Sequence, residues 1–355
     1  MERIEKLRQS FTEYDIDAML ITSASNRRYI SQFTGSSGVV LITEKEAKFV
    51  TDFRYMDQAR EQAQGFDIVQ HKGPIVGEVA KLANELGVKK LGFEETQVTY
   101  QVFKAYENKV DGTLVPINGI LEKHRMIKDS SELKVLKEAT EIADAAFQHI
   151  TSYIRTGLTE LDVSNELEFF MRKNGATSSS FDIIVASGIR SALPHGVASD
   201  KIIGKNELIT LDFGAYYKGY CSDITRTVAV GDPGEELKGV YHTVLEAQLK
   251  AMEQIKPGMS GKEADALSRD LITSKGFGEY FGHSLGHGVG LEVHEGPSLS
   301  TKSDTVLEPG MVVTVEPGIY LSGKGGVRIE DDTVITETGN ETLSHSTKEL
   351  LILGE

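Results

Sequence analysis

A chain of 355 residues is too long for one ordinary domain, so two are expected. Its 39% hydrophobic and 26% charged residues are those of a soluble globular protein, no apolar run approaches the roughly 20 residues of a bilayer span, and a formal charge of −15 excludes the basic footprint of a non-specific nucleic-acid binder. One cysteine, Cys221, excludes an internal disulfide and suits a reducing cytoplasm, while the N-terminal run MERIEKLRQSF lacks the apolar stretch of a signal peptide.

Residues 1–123 predict an α/β module. A helix over 4–14, a buried strand over 18–22, strands Val39–Thr43 and Ala47–Thr51, a helix over 55–64 and a strand over 66–70 follow in order. Helices alternating with short apolar strands imply a mixed sheet covered by helices. The run Gly35, Ser36, Ser37, Gly38 lacks the G-x-x-x-x-G-K spacing of a phosphate loop and reads as a plain turn. The boundary is expected within 121–128, which makes 124–355 the second domain. There Asp129 and Glu132 stand in capping-box spacing, and Leu133, Leu136, Ala139, Ala143, Phe147 and Ile150 follow at helical intervals.

The second domain contains an internal repeat. The segment from Ile154 (IRTGLTELDV) matches the segment from Ile255 (IKPGMSGKEA) in residue character, and after each a helix is expected to end at a glycine, Gly175 and Gly276. A third echo sets His195 between Pro194 and Gly196 against His294 between Val293 and Glu295. Two copies imply a pseudo-symmetric duplicated domain rather than a solenoid, with the two histidines facing a shared centre.

Two hairpins then concentrate acids. LITLDF ending at Phe213 and CSDITRTV from Cys221 read as strands, and a turn about Tyr217 and Lys218 would set Asp212 directly opposite Asp223. The strands VVTVE ending at Glu316 and VRIE ending at Glu330, joined through Gly323, Gly325 and Gly326, would likewise pair Glu316 with Glu330. Cross-strand neighbours lie about 4.5–5.5 Å apart and like charges there destabilise, so positive charge must offset them. Metal ions would do so. His287, in the glycine-rich run GHSLGHGVG from Gly282, is too close to glycines to form a helical zinc pair with His283; the glycines instead let backbone approach a site. Four carboxylates and one neutral imidazole carry the charge that two divalent cations would balance, and oxygen donors with a single nitrogen favour Mn, Co or Fe, with Zn possible. Arg328, two residues from Glu330, shares its strand face and is read as orienting a ligand carboxylate.

The motifs LDFGA around Asp212, CSDITR around Asp223, GHGVGLEVHE around His287, VEPGIY around Glu316 and VRIED around Glu330 occur together and resemble those of the pita-bread metallopeptidases, most closely Xaa-Pro dipeptidases (prolidases) and aminopeptidase P. TDFRY from Thr51 is similar to part of that family's creatinase-like N-terminal domain. The resemblance implies an α/β (α+β) protein, a creatinase-like domain followed by a pseudo-symmetric pita-bread catalytic domain. It implies Asp212, Asp223, His287, Glu316 and Glu330 as ligands of two divalent ions. In that division Asp212 and Asp223 hold one ion, His287 and Glu316 the other, and Asp212 and Glu330 are shared. His195 and His294 match the family's two further active-site histidines.

The expected activity is hydrolysis of the bond preceding proline, with Glu316 relaying the water proton and His195 and His294 stabilising the oxyanion. A short proline-containing peptide is the expected partner, with no nucleic acid or membrane, and a cytoplasmic homodimer is the expected state. Aminopeptidase P, acting on longer Xaa-Pro peptides, is the near alternative. Its longer bacterial form often carries a tryptophan after the ligand histidine, and this chain has no Trp. Methionine aminopeptidases usually lack the N-terminal domain, creatinase does not use these ligands, and a silent peptide-binding module would have lost some of them. Cys221 reads as core packing rather than as a nucleophile, and His71, His124, His149, His242 and His345 lack a comparable setting.

Overall fold

The computed structural model describes residues 2–354, which divide into a unit ending at Arg125 and a unit beginning at Met126. In the first unit the strands are β1 (Ala18–Ile21), β2 (Val39–Thr43), β3 (Ala47–Thr51), β4 (Asp67–Gln70), β5 (Lys90–Glu94) and β6 (Thr113–Ile117). The helices are α1 (Glu2–Gln9), α2 (Ala24–Ser31), α3 (Met56–Gln62), α4 (Ile75–Glu85) and α5 (Tyr100–Glu107), and α6 (Ile120–Met126) follows. The strands form one mixed sheet in the order β4-β3-β2-β1-β5-β6. Central β1 is buried at all four positions, as its AMLI sequence requires of a strand covered on both faces. The first helix stops at Gln9 rather than reaching 14, because the chain continues in tight turns to Asp15, which sits at φ 52°. The Gly35 to Gly38 turn is held through its carbonyls: buried Arg27 donates to those of Gly38 (2.8 Å) and Gly35 (3.0 Å), and the Thr51 hydroxyl to that of Ser37 (2.8 Å). Its acceptors face its supports, which is not how a phosphate cradle is built.

The second unit opens with α7 (Ser130–Tyr153), started by the Asp129–Glu132 capping box, and α8 (Glu160–Lys173). Then come β7 (Ser178–Ser179), β8 (Ile184–Ser187), β9 (Glu207–Phe213), β10 (Ala215–Tyr217), β11 (Tyr220–Cys221) and β12 (Ile224–Val230). The second half repeats the plan with α9 (Glu235–Gln254), α10 (Gly261–Ser274), β13 (Gly286–Gly288), β14 (Glu295–Leu299), β15 (Val312–Val315), β16 (Gly318–Leu321), β17 (Gly325–Arg328), β18 (Asp331–Ile335) and β19 (Asn340–Thr342), before β20 (Ile352–Leu353).

The internal repeat is visible in the backbone. α7 and α9 end at Ile154 and Ile255 with matching angles (φ −62°, ψ 130° and φ −61°, ψ 130°). Gly157 and Gly258 follow at φ 95° and 87°, where a side chain would be strained. Thr159 with Asp162, and Ser260 with Glu263, form equivalent capping boxes for α8 and α10. Gly157 and Leu158 exchange backbone hydrogen bonds with Ile203, as Gly258 and Met259 do with Leu307. Each half has its own core, one around Phe147, Leu167, Leu211 and Phe213, the other around Val244, Ala264, Val313 and Val315.

The hairpin registers decide where the acids fall. β9 and β12 pair antiparallel with Asp212 facing Thr225, so the expected Asp212–Asp223 pairing is displaced by two residues. The cause is the turn. Lys218 (φ 47°) and Gly219 (φ 86°) form a two-residue loop of the primed type between paired Tyr217 and Tyr220, one step beyond the turn expected from sequence. An even shift keeps the side chain on the same face, so Asp223 becomes a diagonal neighbour of Asp212 rather than leaving it. In the other half Val315 faces Asp331 and Gly318 faces Arg328, which leaves Glu316 level with Glu330 as expected, in the break beside Pro317.

Close backbone approach makes this possible at Gly214, where a Cβ would lie 1.7 Å from the Ser222 carbonyl oxygen. Gly214→Ala is therefore expected to destabilise the second unit by about 1–3 kcal/mol or more. Urea unfolding checks this, and an unchanged midpoint would contradict it.

Candidate metal centre

Ile209, Leu211 and Phe213 turn into the first-half core, and strand alternation therefore directs Asp212 to the opposite face. Asp223 lies two residues before Thr225, and its backbone N–H donates to the Asp332 carboxylate at 2.9 Å. From the second half, the His287 N–H donates to the Thr314 hydroxyl (3.1 Å), which in turn donates to Glu316 (3.3 Å). The Glu316 N–H reaches the Leu285 carbonyl at 2.8 Å, tying both residues to one stretch of sheet. Glu330 accepts from the Thr225 hydroxyl at 2.6 Å and its N–H donates to the Thr225 carbonyl at 3.1 Å. Thr225 thus joins the two hairpins.

All eight side chains named from sequence, Asp212, Asp223, His287, Glu316, Glu330, His195, His294 and Arg328, line one cavity of about 520 Å³. Asp223, His287 and Glu330 each offer a donor atom within 4.8 Å of the others. His287 Nε2 lies 3.4 Å from Glu316 Oε1 and 3.8 Å from Asp223 Oδ2. Ligands about 2.1 Å from a common ion stand about 3–3.5 Å from each other, so these spacings are near those of atoms sharing an ion. His287 Nδ1 is 3.1 Å from the Gly288 carbonyl, the arrangement that puts the proton on Nδ1 and leaves Nε2 with its lone pair. Asp223 is the aspartate beside His287, whereas Asp212 is turned to Arg328, whose Nη2 donates to it at 2.6 Å.

Electrostatics favours a cation here. Asp212 Oδ1 and Asp223 Oδ1 are buried without a hydrogen-bond partner. Burial, then the charges of Glu330 and Asp212, holds the Asp223 carboxyl well above its usual range, and burial followed by Glu316 and Asp212 does the same to Glu330. Burial lifts Glu316 to about 8. Burial and neighbouring His294 push His287 down to about 4, which keeps the imidazole neutral. Arg328 is buried among Tyr320, Asp212, Glu316 and Glu330, and their charges hold its guanidinium well above its usual value despite burial. One arginine does not balance four carboxylates, and the donor set fits divalent ions.

The His287 and His294 rings lie 4.4 Å apart, centre to centre. Phe181, Ile184, Pro194, Val197 and Val293 supply an apolar side. Sequence reasoning did not find Tyr320 or give His283 a role. His283 Nε2 and Arg328 Nη1 both reach the Tyr320 hydroxyl at 2.8 Å, so a histidine, a phenol and an arginine form a chain leading to Asp212. The available signal was Gly318 and Gly326, where a Cβ would meet the Tyr320 ring at 2.8 and 2.9 Å; glycine makes room for the ring. Cys221 is buried, with its thiol pushed up to about 12 by that burial, and behaves as packing.

Residues 134–337 match metallopeptidase family M24, and residues 3–127 match the creatinase/prolidase N-terminal domain. An Xaa-Pro dipeptidase of Pyrococcus horikoshii is 42% identical, over 99% of this chain and 99% of its own. Among solved structures, an Xaa-Pro dipeptidase from Bacillus anthracis matches with a TM-score of 0.99 at 63% identity, covering 99% of each chain. An X-Pro aminopeptidase from Thermotoga maritima matches with a TM-score of 0.91 at 43% identity, covering 97% of this chain and 100% of that one.

Raised carboxyl pKa values make the metal-free protein pH-sensitive in a defined direction. Glu316 rises from an unfolded value of about 4.3 towards 8, and Asp223 and Glu330 also rise, so their contribution is complete below the unfolded pKa and lost as pH climbs through the folded one. The melting temperature of chelated protein is expected to fall between pH 5 and 8.5, and added manganese to raise it more at pH 8 than at pH 5. A flat chelated profile with a pH-independent metal effect would contradict this.

Proposed function

Because the chain belongs to metallopeptidase family M24, whose members use divalent metals, we propose that it is a two-metal Xaa-Pro dipeptidase that cleaves the peptide bond preceding proline. The observation that carries this reading is the convergence of Asp212, Asp223, His287, Glu316 and Glu330 on one cavity that Phe181, Ile184, Pro194, Val197 and Val293 also line. Asp223, His287 and Glu330, which form one donor cluster, would hold the ions together with Asp212 and Glu316. Oxygen donors with one nitrogen favour manganese, with cobalt, iron or zinc as substitutes. When bound, such a pair lowers the pKa of the attacking water and polarises the scissile carbonyl.

The chain's own groups supply the rest. Glu316, raised to about 8 by burial and held by the Thr314 hydroxyl, is placed to accept the water proton and pass it to the leaving nitrogen. His195 and His294 face the same space from the two halves of the repeat and would donate to the oxygen that gains charge. Arg328 fixes Asp212 and, through Tyr320, His283. Phe181, Ile184 and Val293 offer a proline ring an apolar wall, and the prolyl nitrogen, lacking N–H, needs no acceptor there. The relatives named Xaa-Pro dipeptidase support the dipeptide, while the relative named X-Pro aminopeptidase supports release of the first residue from longer peptides as the second reading. A buried single cysteine suits the cytoplasm, and a homodimer is the assembly we propose from the family resemblance.

Chelated protein is expected to be inactive and to recover with manganese or cobalt, and Asp223→Ala to stay inactive in both. Side-by-side hydrolysis of Ala-Pro and Ala-Pro-Ala separates the two readings. At least a tenfold preference for the dipeptide, about 1.4 kcal/mol, is expected. Faster cleavage of the tripeptide would move the assignment to aminopeptidase, and an active Asp223→Ala protein would remove the site assignment.

A further inference from the structure

His195 and His294, which both face the cavity, are held by different means, although they stand at corresponding places in the repeat. His294 leads directly into β14, which pairs with β13 on the strand of His287. His195 leads into no strand: the chain from Gly188 to Ala192 is a short 3-10 turn, and past Pro194 the segment meets β8 at an isolated bridge, Val197 opposite Ile184, with the Ala198 N–H donating to the Ile183 carbonyl at 3.4 Å. A segment held to the sheet by one bridge needs other partners for its remaining polar groups, or its side chains will not keep one position.

Those partners converge on Glu160. Its carboxylate is fully buried, 0% exposed, at the first turn of α8. It accepts from the Ser187 N–H and hydroxyl, both at 2.8 Å, before the irregular segment. After it, the Ser199 N–H (3.1 Å) and hydroxyl (2.6 Å) donate to the same carboxylate. Arg190 Nε donates to it at 3.0 Å, and Arg190 Nη2 then reaches across to the Val197 carbonyl at 2.7 Å. Both ends of the segment and the arm spanning it therefore rest on one carboxylate. The helix N-terminus adds a favourable field for that charge.

The repeat supplies an internal comparison. The position equivalent to Glu160 is Gly261, where a Cβ would lie 2.2 Å from the Ser298 carbonyl oxygen. In that half the backbone of β14 itself closes on the helix and leaves no room for a side chain. A long buried acid occurs in the half whose histidine lacks a following strand, and a glycine in the half whose histidine has one.

We propose that Glu160, acting through Arg190, Ser187 and Ser199, is a positioning residue that sets His195 for the reaction. This rests on the role given to His195 above. Glu160 does not touch the substrate space; it determines where the His195 ring stands when charge develops on the substrate oxygen. Charge-assisted hydrogen bonds of this kind fix geometry as well as stabilise, and a small misplacement at a reacting centre can lower the rate about a hundredfold.

Glu160→Gln keeps the shape and removes the charge. Arg190→Ala, at a partly exposed side chain (27%), interrupts the same arm with less risk to folding. Each variant is to be assayed with manganese-loaded protein in the wild-type and His195→Ala backgrounds, alongside bound-metal content and melting temperature. Expected is a fall in kcat of about ten- to a hundredfold with KM within about twofold, unchanged metal content, and less than about a twofold further loss once His195 is alanine. The inference is overturned if the losses multiply in full with that of His195→Ala, if they follow metal loss or unfolding, or if neither variant slows turnover. A His195→Ala protein as active as wild type would instead overturn the role of His195 itself, and with it the positioning role of Glu160.

Discussion

Four carboxylates lining one cavity, with buried Arg328 among them, make up the constraint on which the second unit depends. Two unit charges about 4 Å apart repel by about 4 kcal/mol at an effective dielectric of 20, and burial adds a desolvation penalty for each. Alone, such a cluster holds protons. Asp223, Glu316 and Glu330 are all displaced in that direction, and His287 is displaced towards neutrality. Divalent ions reverse the balance, turning mutual repulsion into shared attraction, and the unpartnered oxygens of Asp212 and Asp223 are where that attraction would act.

The fold holds this arrangement open by duplication. Each half contributes a hairpin, a capped helix and a histidine, and the two halves meet at Thr225 and Arg328, which hydrogen-bond across the hairpins to Glu330 and Asp212. Behind the site, buried Arg226 donates to the carbonyls of Thr225 and Glu330 and pairs with Asp331. Asp332 receives the Asp223 N–H. The run Glu330, Asp331, Asp332 is thus three buried acids with three different sets of partners, and only the first faces the cavity. Symmetry supplies the frame, and its local departures, such as glutamate at 160 against glycine at 261, supply what is particular to each half.

Much of this was legible from the chain because its signals are short-range. The Asp129 capping box, the strands Val39–Thr43 and Ala47–Thr51 and the repeat at Ile154 and Ile255 depend on neighbours in sequence, and all are present. The faces of the acids were legible because strand alternation has period two. Lys218 and Gly219 moved one register by an even step, which preserved the face while changing the partner of Asp212 to Thr225. Long-range relations were not legible. Tyr320 reaches His283 only because Gly318 and Gly326 admit its ring, and Glu160 is one acid among 53 acidic residues until the fold brings Ser187, Arg190 and Ser199 to it.

Titration of chelated protein with manganese, followed by calorimetry at pH 7 in buffers of different ionisation enthalpy, tests the central claim most directly. If buried carboxyls hold protons until ions replace them, two ions bind per chain and the observed heat changes with the buffer, because protons are released. Binding of less than one ion per chain, or a heat independent of the buffer, would contradict the account.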